Sequence, residues 1–238
     1  MNSARPVCTA FFLLAASFAP SLVAASDKAA SPEALKAAGL TSAQLLAGAK
    51  TGLAALVDLT AAEMAKPGAV QVATPSSMSK LESALKRMNQ SGAFDSFKSS
   101  LNQAAVSVAP QTTAVLKSAI GPLTAADASS LLGGAPDSAT KLLRKTAEAN
   151  LRTKLAPLVA QAIAANGTAA KAKDLLAKAG PMAAMMGVPN VSELENHVLS
   201  QVLDTSFRYL AKQETAIRAN PAALKDSLAA KVFAPGRK

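Results

Sequence analysis

The sequence predicts an all-α protein, an irregular multi-helix bundle with a long central helix near residues 191–218. Ala and Leu dominate the 238 residues, Trp is absent and Tyr209 is the single tyrosine. No run of alternating β-branched residues occurs apart from the brief "AVQVAT" at 69–74. Helix-capping residues recur along the chain, with apolar residues at helical spacing between them.

The first element is short: Ser31-Pro32-Glu33 reads as an N-cap with Pro in the first turn, and Gly39 closes it. Thr41 and Gln44 form a capping box for a second helix that fades before "KPG" at 66–68. Residues 67–77 read as a linker or short extended piece. Leu81, Leu85 and Met88 then recur at helical spacing up to Gly92, Phe94, Phe97, Leu101 and Ala105 continue the pattern in the next helix, and Pro110 and Gly121 bracket one more.

In "LTAADASSLLGGAPDSATKLLRKTA", residues 123–147, Thr124 and Asp127 form another capping box. Leu131 and Leu132 supply an apolar helix end, and Gly133-Gly134 allow a left-handed C-cap. Asp137, its approach fixed by Pro136, is expected to cap the next helix. The longest candidate, 191–218, starts at Asn190 with Glu193 and carries Arg208, Lys212 and Arg218 toward its end, the sense the helix dipole favours. Its apolar residues form two adjacent stripes, Val198, Val202 and Tyr209 beside Leu199, Leu203, Phe207 and Leu210, which suits a helix packed on several sides. Asn220-Pro221 is expected to start a final short helix ending near Phe233.

The N-terminus reads as a secretory signal peptide, residues 1–25. Its only charge is Arg5, an apolar stretch runs from Val7 to Ala19, and Val23, Ala24 and Ala25 precede Ser26. The apolar stretch is too short for about 30 Å of hydrocarbon, and Cys8 precedes it rather than following it as a lipid-attachment cysteine must. The expected organisation is therefore a signal peptide (1–25), an N-terminal segment (26–41), a single helical domain (42–233) and a C-terminal tail (234–238). Cleavage removes the lone Cys and the base Arg5, so the formal charge of +10 becomes +9 in a chain that has no disulfide and relies on its core. That balance favours anionic partners. For a chain exported to the periplasm or envelope these are lipid head groups, a cell-wall polymer or an acidic protein; nucleic acid is not expected.

Catalytic and metal-binding vocabulary is sparse. The single His, His197, has no nucleophile near it in sequence and reads as a half-buried structural or surface side chain. One His and no mature Cys exclude the common zinc sites, no Gly-rich phosphate loop or nucleophile elbow occurs, and no cofactor is implied. "GPMAAMMGVP", 180–189, holds three of the seven Met residues and reads either as a short buried helix or as a surface accepting apolar ligands.

Charge is concentrated further along: Lys141 to Lys178 contains eight bases and two acids. On the helix after Asp137, Lys141, Arg144, Lys145 and Arg152 fall on one side with Glu148 among them, opposite Ala139, Leu143, Ala147 and Leu151. Those four bases form a candidate anion-binding face, with an ordinary solvated face, in which Glu148 pairs with Arg144 and Arg152, as the competing reading. A second candidate is a small pocket at the joint formed by Asp127, Thr140 and Arg144; local capping accounts for the same residues.

From about Ser42 to Phe233 the chain resembles the bacterial domain-of-unknown-function 4197 family. The matching segments are "FDSFKSSLNQAAVSVAP" (94–110), "AIGPLTAADASSLLGG" (119–134), "SATKLLRKT" (138–146), "LAPLV" (155–159) and "AIRANPAALKDSLAAKVF" (216–233), in matching order and spacing. The family pattern has an aromatic near Leu142 and another near His197, where this sequence departs, so no role of those aromatics carries over. The resemblance implies an exported, predominantly helical bacterial protein and transfers no catalytic residue. The expected function is non-enzymatic binding or scaffolding at an anionic envelope surface, with a carrier of an apolar ligand in a helical cavity and a hydrolase with an unrecognised site as alternatives.

Overall fold

A computed structural model describes residues 35–36, 38–181 and 187–234. The expected signal peptide, the cap at Ser31-Pro32-Glu33, half of the Met-rich segment with its three methionines (182–186) and residues 235–238 lie outside the described residues. Eight α-helices and no strand are present among them: α1 (Ser42–Met64), α2 (Ser79–Arg87), α3 (Ser91–Ile120), α4 (Ala125–Ser129), α5 (Ser138–Ala165), α6 (Thr168–Ala179), α7 (Val191–Ala219) and α8 (Ser227–Phe233). The protein is all-α. α3 packs most widely on α5, α5 packs on α7, and α7 also touches α1 and α3. Both apolar stripes of α7 are buried apart from the half-buried Tyr209, as a central helix requires.

Three helix starts form as local sequence dictates. At α1, Thr41 Oγ1 accepts from Gln44 N at 3.2 Å while Gln44 Oε1 accepts from Thr41 N at 2.9 Å. Reciprocal boxes of the same kind join Thr124 to Asp127 at α4 and Asn190 to Glu193 at α7.

Four expectations are corrected. Pro110 does not break the chain but lies inside α3, as Pro157 lies inside α5. Both prolines are exposed, so the carbonyl each deprives of a donor four residues earlier lies on the side where water reaches it. Buried Leu101, Ala105 and Val108 before Pro110, and Thr112 and Leu116 after it, hold the two halves of α3 on one core. The turn before α3 falls at Asn89, which takes the left-handed conformation (φ 58°), and Gly92 lies inside the helix. Pro221 starts only a single 3-10 turn, after which Leu224 is extended and Asp226 Oδ1 caps α8 by accepting from Ala229 N at 2.7 Å. Finally, Asp137 makes no cap hydrogen bond to α5.

Glycine matters most where α8 crosses α1. A Cβ at Gly48 meets the backbone carbon of Leu228 at 2.7 Å, and one at Gly52 collides with the Phe233 ring. This Gly-x-x-x-Gly spacing lets the last helix sit against α1 almost backbone to backbone. α1 is also long and apolar enough to cross a membrane by length and composition; in this fold Leu45, Leu53, Leu56 and Val57 turn into the core instead.

Candidate functional site

The face singled out on α5 is present. Ala139, Leu143, Ala147 and Leu151 are buried, and Lys141, Arg144, Lys145 and Arg152 are exposed opposite them. Most of those charges are matched. Lys141 Nζ lies 2.9 Å from Asp137 Oδ2. Arg144 pairs with Glu148 in its own helix and with Asp204 on α7, its guanidinium 4.8 Å over the Phe207 ring. Arg152 pairs with the same Glu148 at 2.9 Å and reaches Ser200 Oγ at 3.4 Å. Lys145 alone of the four has no such partner among the described residues. Asp137, Glu148 and Asp204 thus offset most of a surplus that looked larger along the linear sequence.

Asp127, Thr140 and Arg144 are engaged separately. Asp127 Oδ2 accepts from Thr124 N at 2.9 Å and from its hydroxyl at 2.8 Å, Thr140 bonds to Glu214, and Arg144 bonds to Asp204. No hydrogen bond joins the three to one another.

What occupies that joint instead is a buried ion pair. Glu214, with no exposed surface, accepts from Ala139 N and Thr140 N at 2.8 Å each and from Thr140 Oγ1 at 2.8 Å. It places a carboxylate at the positive end of α5 and makes the cap that Asp137 does not. Arg218, one turn later, donates from Nε to Glu214 Oε1 at 3.0 Å, from Nη1 and Nη2 to the Leu131 carbonyl at 3.3 Å, and from Nη2 to Ser138 Oγ at 2.6 Å. Its plane lies 5.1 Å over the Phe233 ring. Gly134 belongs to this joint: unlike Gly133 (φ 63°) it has no positive φ, but a Cβ there meets Ser138 Oγ at 2.6 Å and the Ser130 carbonyl at 2.7 Å. Every polar group at the joint is answered from within the fold.

The opposite situation holds along residues 66–75, a connector with no strand partner among the described residues. Val70 and Val72 anchor it in the core, and side chains from two helices satisfy its backbone. Val72 N donates to Asn102 Oδ1 at 2.7 Å, Tyr209 Oη donates to the Ala69 carbonyl at 3.3 Å, and His197 Nε2 donates to the Ala73 carbonyl at 2.6 Å. The only Tyr and the only His of the chain therefore serve the same irregular segment, which is why neither needs a catalytic role to explain it.

Beside the connector lies an open polar groove of about 710 Å³, lined among others by Gln71, Lys98, Asn102, Gln201, Asp204 and Arg208. Asp204 is already taken by Arg144. Arg208 is exposed, 5.5 Å over the Tyr209 ring, and has no acidic partner among the described residues. Lys98 keeps only long contacts, 3.6 Å to Asp95 and 3.9 Å to Glu82. A guanidinium, an ammonium and primary amides on one concave surface suit an anionic, oxygen-rich ligand. A second groove, of about 570 Å³, has Met64, Val70, Val106, Ala109 and Pro110 in its walls and shares Gly68 with the first. At its rim Lys66 Nζ lies 2.6 Å from Glu63 Oε1. That hydrogen bond, with the added charge of Lys212, holds the Glu63 carboxyl below its ordinary range.

Sequence reasoning missed Glu214, Lys98, Asn102 and Arg208. The spacing of Glu214 and Arg218 signals an ion pair but not its burial, and nothing local links Lys98 to Arg208. Among the described residues no three of His, Cys, Asp and Glu gather where a metal ion could be held.

Fold and grooves together define an all-helical protein with a polar cleft on its surface. The chain belongs to the family described as protein of unknown function (DUF4197), whose model matches residues 34–234. No curated protein and no solved structure matches the chain.

Proposed function

We propose that the protein is an exported, non-enzymatic binding protein whose partner is an anionic envelope surface, met through the polar groove and the neighbouring bases of α5. Arg208 is the observation that carries this reading: it is an exposed guanidinium on a rigid helix, stacked on Tyr209 and left without an acid. Lys98 in the same groove keeps only long contacts to Asp95 and Glu82, and Lys145 on α5 has no acidic partner among the described residues. Carboxylates elsewhere support binding over hydrolysis, because Asp127, Glu193 and Asp226 cap helices while Glu148, Asp204 and Glu214 are paired with arginines. The N-terminal apolar stretch ending in small residues supports export.

Cosedimentation with phosphatidylglycerol-containing and phosphatidylcholine vesicles, at low and high salt, tests the proposal. Binding is expected to anionic vesicles only, to weaken with salt, and to fall for Arg208→Glu more than for Lys141→Glu combined with Lys145→Glu. Equal binding to both vesicle types, or none to either, rejects it.

A further inference from the structure

The two grooves flank the connector and differ in chemistry. They meet at Gly68, and α3 lines both, with Lys98 and Asn102 on the polar side and Val106, Ala109, Pro110 and Thr113 on the apolar side. Val106 leaves 54% of its surface exposed although it lies one turn beyond a residue that holds the connector in place. The apolar volume, about 570 Å³, lies within the range of small-molecule sites, and Met64 gives it an adaptable wall. Bases lie along both grooves. Lys66 rims the apolar groove, Lys98 and Arg208 line the polar one, and Lys212 is close enough to act on Glu63.

We infer that the paired grooves hold a single-chain anionic amphiphile, with its acyl chain along Val106 and Ala109 and its head group at Arg208 and Lys98. The inference rests on the anionic-surface reading for the head-group half and adds the acyl-chain half. An apolar tail gains by leaving water for the Met64, Val70 and Val106 walls, while an anionic head at the same end of the site meets bases instead of desolvated carbonyls. A zwitterionic head brings its own cation to that junction and loses part of the attraction. A single chain is specified because the apolar groove that shares Gly68 with the polar one is about 570 Å³.

Calorimetric titration of the full-length protein, below the micelle threshold of each probe, tests this. The probes are palmitoyl-lysophosphatidylglycerol, palmitoyl-lysophosphatidylcholine and glycerol 3-phosphate. The anionic lysolipid is expected to bind one to one and at least about tenfold more tightly than either other probe. Val106→Trp, which fills the groove from an exposed position, and Ala65→Phe, which fills it from the opposite wall, should each weaken the lysolipid about tenfold while leaving cosedimentation with anionic vesicles unchanged. A cooperative thermal transition for at least one of the two shows that the loss is local. Glycerol 3-phosphate binding as tightly as the lysolipid, or two folded groove-filled variants that bind it normally, overturns the acyl-chain site and leaves the surface reading standing. Failure of the wild-type protein to bind either the anionic lysolipid or anionic vesicles rejects both.

Discussion

Two arginines of α7 define two kinds of polar region. Arg218 is 6% exposed and spends its donors on Glu214, Ser138 and the Leu131 carbonyl, with Phe233 beneath it. Arg208 also lies over an aromatic ring, that of Tyr209, yet faces solvent in a groove whose one acid, Asp204, is taken by Arg144. The same side chain on the same helix is thus architecture in one place and an unspent binding group in the other. Saturation separates them: a buried charge must be fully answered for the fold to persist, whereas an exposed one can wait for a ligand.

The largest expected effect comes from breaking the saturated region. Glu214→Ala removes the acceptor for two backbone N–H groups of α5 and leaves the Arg218 guanidinium buried and uncompensated. A loss of about 3–5 kcal/mol is expected in reversible denaturant unfolding, with Arg218→Ala in the same range. Replacing both by well-packed apolar residues should recover part of the loss, because no orphaned charge is left. By contrast, Asp137→Ala loses only an exposed ion pair to Lys141, typically under about 1 kcal/mol. If Asp137→Ala cost as much as Glu214→Ala, the cap of α5 would be assigned to the wrong carboxylate.

That contrast also marks where sequence reading stops. The boxes at Thr41, Thr124 and Asn190 are legible because donor and acceptor are three residues apart and need no tertiary partner. The apolar stripes of α5 and α7 are legible for the same reason. Asp137 sits where a cap belongs, but the occupant is Glu214, 75 residues beyond Ala139, and no local pattern favours it. Pro110 is a helix breaker by propensity, and only the shared burial of α3 on both sides of it overrides that preference. The candidate site was the least legible part. Lys98, Asn102 and Arg208 come together because the connector at 66–75 needs hydrogen-bond partners and draws α3 and α7 beside it; the basic run on α5 was visible in the chain, but its pairing with Asp204 was not.

A smaller effect is expected where α8 closes over Gly48 and Gly52. Gly→Ala in an exposed helix interior normally stabilises by about 0.5–1 kcal/mol, but here the new methyl meets Leu228 backbone or the Phe233 ring. Gly48→Ala should therefore destabilise by about 1–3 kcal/mol, and Gly52→Ala by somewhat less, since a ring can tilt and a backbone cannot. Because Phe233 also lies beneath Arg218, Gly52→Ala combined with Arg218→Ala should be less costly than the sum of the two singly. Additive costs in that cycle would show that α8 docking and the buried joint are independent, and would confine the saturated region to Glu214 and its donors.

The smallest effect on stability is expected at Arg208. Its guanidinium has no acid to lose and the Tyr209 ring stays anchored through its own hydroxyl to the Ala69 carbonyl, so Arg208→Ala should move the unfolding free energy by no more than about 0.5 kcal/mol. Binding should respond in the opposite proportion. A base close to an anionic bilayer contributes about 1 kcal/mol, so the affinity for phosphatidylglycerol vesicles should drop roughly fivefold at low salt, and the drop should shrink at high salt as the wild type loses the same attraction. Arg208→Lys keeps the charge and should restore most of the vesicle binding; what it fails to restore measures how far the planar, ring-stacked guanidinium matters beyond its charge. An Arg208→Ala protein that unfolds much more easily than the wild type, yet binds vesicles as well, would invert the comparison and make Arg208 a second structural arginine like Arg218.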